Sequence, residues 1–327
     1  RYFGVNEYGI LSFAISFTVL LGMGTDIGMS TYTTRELSRD KSKVKKFINN
    51  IIPFKIILSI LVFIFTALIL YLLGYSYLAI EVALLISIET IFICMIKFMN
   101  GVFQAYENLK YNSIGDIIAS FSLLIFSFIC IIFDLGLLFA ALAYTLAYLV
   151  YLFYITHYIS KEFGRPKFEF DFGFWKKVAK ESIPFGLSIF FYTIYFSIDV
   201  VMISFLVGDY PTGIYNSAYK IVSVFAAFYV IYQYVLFPLM SKLFTEDSNL
   251  LKISYEQSIK YSLLILLPLS IGVYIYSPYL INLVYSTEYA LASGAMQILI
   301  WTVIFLFING VATSLLNSID KELDVTK

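Results

Sequence analysis

The 327-residue chain is 60% hydrophobic and 19% aromatic, with 13% charged residues and no formal net charge. An ordinary soluble domain carries about a quarter charged residues, so the composition excludes one and indicates an integral membrane protein. The 22 basic and 22 acidic residues cancel in number but are segregated along the chain, so their placement, not their sum, carries information.

A membrane-spanning helix needs about 20 mostly apolar residues. Nine stretches qualify, at 8–33, 48–73, 78–103, 113–133, 137–158, 182–207, 214–239, 258–284 and 292–317. They lack the short alternation of barrel strands, and lipid tolerates no open sheet edge, so helices are expected. The first contains Gly24, Asp26 and Gly28 and runs into "RELSRDKSKVKK". Gly24 and Gly28 form a small-xxx-small face for close helix approach, and the glycines let the helix bend around Asp26. Lys55 of the second span lies nine residues after Lys46, as Asp26 lies nine before Arg35. At 1.5 Å per residue both sit about 13 Å from the cytoplasmic turn and are placed to meet. Pro53 and Pro268 are expected to kink their spans.

The third span carries Glu81, Glu89 and Lys97, spaced by eight. That separation is too long for a local helical pair, so each needs a partner on another element. Glu89 lies nearest the midplane and ranks first as a functional residue, a carboxylate placed to bind a coupling ion. Its counterpart region in the ninth span holds Gln297 and Ile298. In the fifth span Tyr144, Tyr148, Tyr151 and Tyr158 share about one face; Tyr148 and Tyr151 are deep enough to need hydrogen-bond partners. They line either a wet cavity wall or, the favoured reading, a helix–helix contact. Asp199 and Lys220 lie similarly deep on either side of the "GDYPTG" turn and form a second candidate pair. Both pairs read equally as clamps between helices. Cys94 and Cys130 fall in apolar runs, as small core residues rather than a disulfide or metal site; no metal or cofactor is expected.

The links after the odd-numbered spans hold Lys or Arg, from Arg35 to Lys46, at Lys110, from Lys161 to Lys180, at Lys242 and Lys252, and at Lys321 and Lys327; the alternate links hold none. Basic residues stay cytoplasmic, which sets the orientation, with Tyr8 outside. The polar link at 161–181 divides an N-terminal bundle, 1–160, from a C-terminal one, 182–327. "GILSFA" from Gly9 pairs with "GIYNSA" from Gly213, and "FMNGV" from Phe98 with "FINGV" from Phe307, in matching order and depth. These landmarks point to a parallel repeat, two pseudo-symmetric bundles related about the membrane normal.

"EYGILSFA", "DIGMSTYTTRELSRD", "IPFGLSIFFYTIYFSIDVVMI", "GIYNSAYKIV", "FPLMSKLF" and "YLINLVYSTEYALASGAMQILIW", in this order, resemble the Wzx-type polysaccharide flippases. These belong to the superfamily of multidrug and toxic compound extruders and lipid II flippases. The resemblance implies a MATE-like fold in the cell membrane. The chain would then be a fragment lacking the first and last few spans. It also implies flipping of a polyprenyl-pyrophosphate-linked oligosaccharide by alternating access, coupled to a proton or sodium ion. Partners are then membrane lipid and glycan-assembly proteins, with no nucleic acid. Cation candidates for the pyrophosphate are Arg35, Lys55, Lys97 and Lys220; ion-coupling candidates are Glu89, Asp26 and Asp199. The resemblance carries the family's recurring residues onto Arg35, Glu36 and Asp199. A multidrug exporter of the same fold is the first alternative. A membrane glycosyltransferase or polymerase is the second, disfavoured because "FEFDF" is no metal-binding acid pair and no catalytic loop is present, so no enzyme is expected.

Overall fold

The computed structural model describes residues 2–246 and 248–319; Lys321 and Lys327 lie outside them. Among the described residues, nine helical stretches are long and apolar enough to cross a bilayer, and there is no strand. The chain is an all-α, multi-pass membrane protein. Its backbone groups are satisfied within each helix, as hydrocarbon demands.

The first span is split into α1 (Val5–Gly22) and α2 (Met29–Arg39). There follow α3 (Val44–Leu72), α4 (Tyr77–Ala105), α5 (Lys110–Ile132), α6 (Gly136–Phe163), α7 (Phe172–Val207), α8 (Asp209–Glu246), α9 (Ser248–Val284) and α10 (Ala292–Ser318). Local chemistry sets several of the starts. Asp40 accepts from the Ser42 amide before α3, Ser76 from Ala79 at α4, and Asp171 from Phe174 at α7, at 3.1, 3.3 and 2.9 Å. Each satisfies a donor that the first helical turn leaves free. Pro53 and Pro268 lie inside continuous helices, as do Pro184, Pro238 and Pro278.

Contacts divide the chain into two compact units at Gly213, later than the expected 161–181 link. The first unit takes in α1 to α7 and has its core around Met29, Phe47, Phe98, Phe103, Tyr151 and Val178. The second contains most of α8 with α9 and α10, and packs Leu236, Met240, Leu251 and Val311.

The link itself explains why α7 stays with the first unit. Residues 164–171 run without helix along the start of α3, where Asn49 and Asn50 grip them. Asn49 donates to Glu169 at 2.7 Å and accepts from the Lys167 amide at 2.9 Å. Asn50 donates to Glu169 at 2.9 Å and accepts from the Asp171 amide at 3.1 Å, while its carbonyl accepts from the Trp175 indole at 2.9 Å. Trp175 then stacks on Phe54, centroids 4.8 Å apart.

Substituting Asn50→Ala removes the two side-chain bonds, to Glu169 and the Asp171 amide, while its carbonyl still accepts from Trp175; the loss is expected to cost about 1–3 kcal/mol, read as faster proteolysis between residues 164 and 171. The grip is also acid-sensitive. The Phe174 amide, and then Lys46 at 3.3 Å, hold the Asp171 carboxyl below its usual range. A depressed carboxylate stabilises the folded form above its unfolded value near about pH 4, and that contribution disappears as pH falls through the lower folded value. Proteolysis of the link is therefore expected to be flat from neutral pH to about pH 5 and to rise below about pH 4.

The repeat landmarks occupy equivalent contacts in the two units. Gly101 of "FMNGV" faces α2, where a Cβ would come within 2.7 Å of the Thr34 hydroxyl and 3.1 Å of the Ser30 carbonyl. Gly310 of "FINGV" faces α8, where a Cβ would meet Gln233 and the Tyr229 ring. In each case the third helix of a repeat uses its glycine to approach the first closely.

Candidate functional site

The acid in the first span sits at a break in the helix. After α1 a single 3₁₀ turn, Met23–Thr25, precedes Asp26, and Ile27 and Gly28 take φ of 45° and 78° before α2 begins. The left-handed conformation at Gly28 is one that side-chain-bearing residues resist. It also brings backbone against backbone, since a Cβ at Gly28 would lie 2.6 Å from the Ser182 carbonyl and one at Gly186 would lie 2.8 Å from that of Ile27. The first span thus bends where α7 crosses it.

The break frees amide donors, and Asp26 uses them. Its carbonyl accepts from the Met29 amide at 2.7 Å. Its Oδ1 accepts from the Ser30 amide at 3.3 Å and the Ser30 hydroxyl at 2.5 Å. The positive end of α2 therefore faces the carboxylate. Lys55 completes the set by donating Nζ to the same oxygen. The meeting of Asp26 and Lys55 expected from their depth is present, with Lys55 fully buried and Asp26 14% exposed.

Lys97 of α4 is exposed and within electrostatic reach of Asp26. Two lysines and one acid leave this region with one net positive charge. Nearer the C-terminal end of α2, Arg35 binds Glu36 at 3.0 Å and lies over the rings of Tyr32 and Phe185, 5.2 and 5.1 Å from their centroids. Glu36 is shared with Arg39 at 3.7 Å.

Glu89 is 7% exposed and makes no hydrogen bond or ion pair among the described residues. Tyr144 and Tyr148 of α6 are within electrostatic reach of it. Tyr148 is half-buried, but Tyr151 is enclosed. Its hydroxyl meets the Asn100 side chain at 2.9 Å and donates to the Asn112 carbonyl at 3.1 Å, and its ring covers Gly115. Tyr151 as a cavity-wall residue is thus corrected: it packs α4, α5 and α6 together, the alternative favoured on sequence.

Asp199 and Lys220 fall in different units. Asp199 is half-buried and accepts from the Val200 amide at 2.8 Å; Lys220 is exposed. Four participants had escaped the sequence reading: Asn49, Asn50, Gly186, and Glu181, which accepts from the Tyr32 hydroxyl at 2.7 Å. The adjacent amides of "NN" at the start of an apolar run were the available signal. A cavity of about 580 Å³ lies elsewhere, lined by Val44, Lys45, Tyr106 and Glu162 among others.

The sequence profile described as polysaccharide biosynthesis protein matches residues 1–244. The chain belongs to that family. The profile described as MatE also matches, over residues 184–326. Two uncharacterized membrane proteins of Methanocaldococcus jannaschii resemble this polysaccharide biosynthesis family member. One is 27% identical, covering 76% of this chain and 62% of its own length. The other is 24% identical, covering 96% and 66%. The chain therefore spans less than two thirds of either relative.

Among solved structures, the lipid II flippase MurJ in an inward closed conformation matches with a TM-score of 0.81 at 16% identity, over 100% of this chain and 74% of its own. An inward-facing MATE multidrug resistance transporter of the MOP superfamily matches at 0.76 and 14% identity, over 98% and 79%. A MOP superfamily transporter from Pyrococcus furiosus matches at 0.57 and 17% identity, over 97% and 74%. The polysaccharide biosynthesis family member thus has the MATE-like fold.

Proposed function

We propose that the protein is a transporter that flips a polyprenyl-pyrophosphate-linked oligosaccharide from the cytoplasmic to the outer leaflet by alternating access, coupled to a proton or sodium ion. The observation that carries this reading is the positive excess at Asp26, Lys55 and Lys97 within a membrane-embedded bundle. A lone charge at mid-helix costs about 2.5–3.5 kcal/mol on insertion scales. A surplus cation at that depth is therefore explained best by a ligand that needs one, and a pyrophosphate does. Arg35 is a further cation for that anion, and Lys220 is a separate candidate cation in the second unit. Asp26 and Asp199, with Glu89 foremost, are the candidate ion-binding carboxylates.

The test is reconstitution of the full-length protein with a pyrophosphate-linked glycolipid. Lys97→Gln removes an exposed charge that holds no ion pair among the described residues. The variant is expected to fold normally and to bind the lipid about ten- to a hundredfold more weakly. Unaltered affinity would refute the anion role. Glu89→Gln is expected to retain fold and binding but lose dependence of flipping on an ion gradient; a gradient-dependent rate equal to the parent's would refute coupling at that residue.

A multidrug exporter is the second reading. It is favoured by the MatE profile over residues 184–326 and by Glu89 lying near Tyr144 and Tyr148, an acid among aromatics that suits organic cations. Gradient-driven accumulation of a cationic dye, with no glycolipid flipping, would select it.

A further inference from the structure

The segment joining α6 to α7 has two unlike faces. Side chains of an extended chain alternate, and here Glu169 and Asp171 turn to Asn49, Asn50 and Lys46 of α3. The intervening Phe168, Phe170 and Phe172 are left 62%, 57% and 72% exposed. They cannot simply fold away. Phe170 and Phe172 meet Trp175 edge-on at 5.9 and 5.1 Å, and Trp175 is fixed beneath them by Asn50 and Phe54.

The charges around this row are one-sided. Arg165, Lys167, Lys176, Lys177 and Lys180 are exposed beside it, whereas the nearby acids Glu169 and Asp171 are engaged by α3. Phe168 lies five residues beyond the end of α6 at Phe163, at most about 17 Å of chain, so the row stays close to the inner end of a span. The basic links place that end in the cytoplasm.

We propose that Phe168, Phe170 and Phe172 form an interfacial anchor: their rings enter the cytoplasmic leaflet at the headgroup boundary, while the flanking Arg165, Lys167 and Lys176 hold anionic phospholipid headgroups. Rings on one side and lysines around them are the chemistry of such a surface. The row is continuous with two spans already in that bilayer, which selects lipid as its occupant.

The test uses the full-length protein with Cys94→Ala and Cys130→Ala, reconstituted in bilayers with and without phosphatidylglycerol. A nitroxide is attached to a cysteine introduced at 168, 170 or 172, and to one at 165 as a reference. Labels in the row are expected to collide with dissolved oxygen several-fold more often, relative to a water-soluble nickel chelate, than the label at 165. The contrast should grow with phosphatidylglycerol. A second variant guards against effects of the label. F168S/F170S/F172S removes two edge contacts on Trp175 but leaves that ring held by Asn50 and Phe54, so it should elute like the parent, while a label at 173 moves into water. Full nickel access along the row in the parent, as a loop awaiting a protein partner would give, overturns the proposal. So does a label at 173 that is indifferent to the triple substitution. Neither result bears on glycolipid flipping, which is measured separately.

Discussion

Replacing Lys55 by alanine is expected to destabilise the protein by about 3–5 kcal/mol, because it strands the Asp26 carboxylate without its counter-ion in a buried site. Thermal unfolding of the full-length protein in detergent measures this. The double variant Asp26→Asn, Lys55→Met removes both charges while keeping similar volumes and leaves Ser30 a hydrogen-bond partner at position 26. It should regain most of the loss, since eliminating a buried pair is far cheaper than breaking one. Transport by the double variant then separates two roles for the pair. A folded double variant that no longer moves substrate assigns the charges to transport; one that transports normally makes them a clamp between α2 and α3. Losses that merely add in the double variant would show that the two side chains do not interact.

The second large effect belongs to a residue without a side chain. Gly186→Ala would set a Cβ 2.8 Å from the carbonyl of Ile27, a distance that real contacts do not adopt. Both neighbouring groups are backbone, so relief requires moving α7 away from the helix break. Overpacking of this kind costs about 1–3 kcal/mol, and any separation of α2 from α7 also strains the Tyr32–Glu181 hydrogen bond. We expect a lower melting temperature together with faster proteolysis of the 164–171 link. Gly294→Ala, where a Cβ has open space, serves as the control and should melt like the parent. Equal behaviour of the two would show that the close approach of Gly28 and Gly186 is not maintained in the protein.

The spans and their order were legible because the bilayer imposes a length and a composition on each helix. Charge alternation in the links supplied the expected orientation. The depth of Asp26 and Lys55 could be computed from helical rise alone, and that arithmetic located the pair. What escaped was contact between elements distant in sequence. Glycines 24 and 28 pointed to one close approach, but they face different helices: Gly24 meets Val62 of α3, and Gly28 meets Gly186 of α7, 158 positions after it. Asn50 stands at a span boundary, yet both ends of its side-chain amide are occupied by the link and its carbonyl by Trp175 of α7. Tyr151 shows the converse. A tyrosine stripe on one helix face marks that face as needing hydrogen bonds, and only the structure distinguishes water from Asn100 and Asn112 as their source.

Because residues 167, 169 and 171 are each tied to α3, this stretch of the connection into α7 offers no spare chain. Pulling the inner half of α7 sideways would have to carry α3 along or else snap those bonds in sequence, like a zip opened from one end. A working cycle that preserves them would move α3 and the lower part of α7 as one piece, and any flexing of α7 would fall further outward along its length.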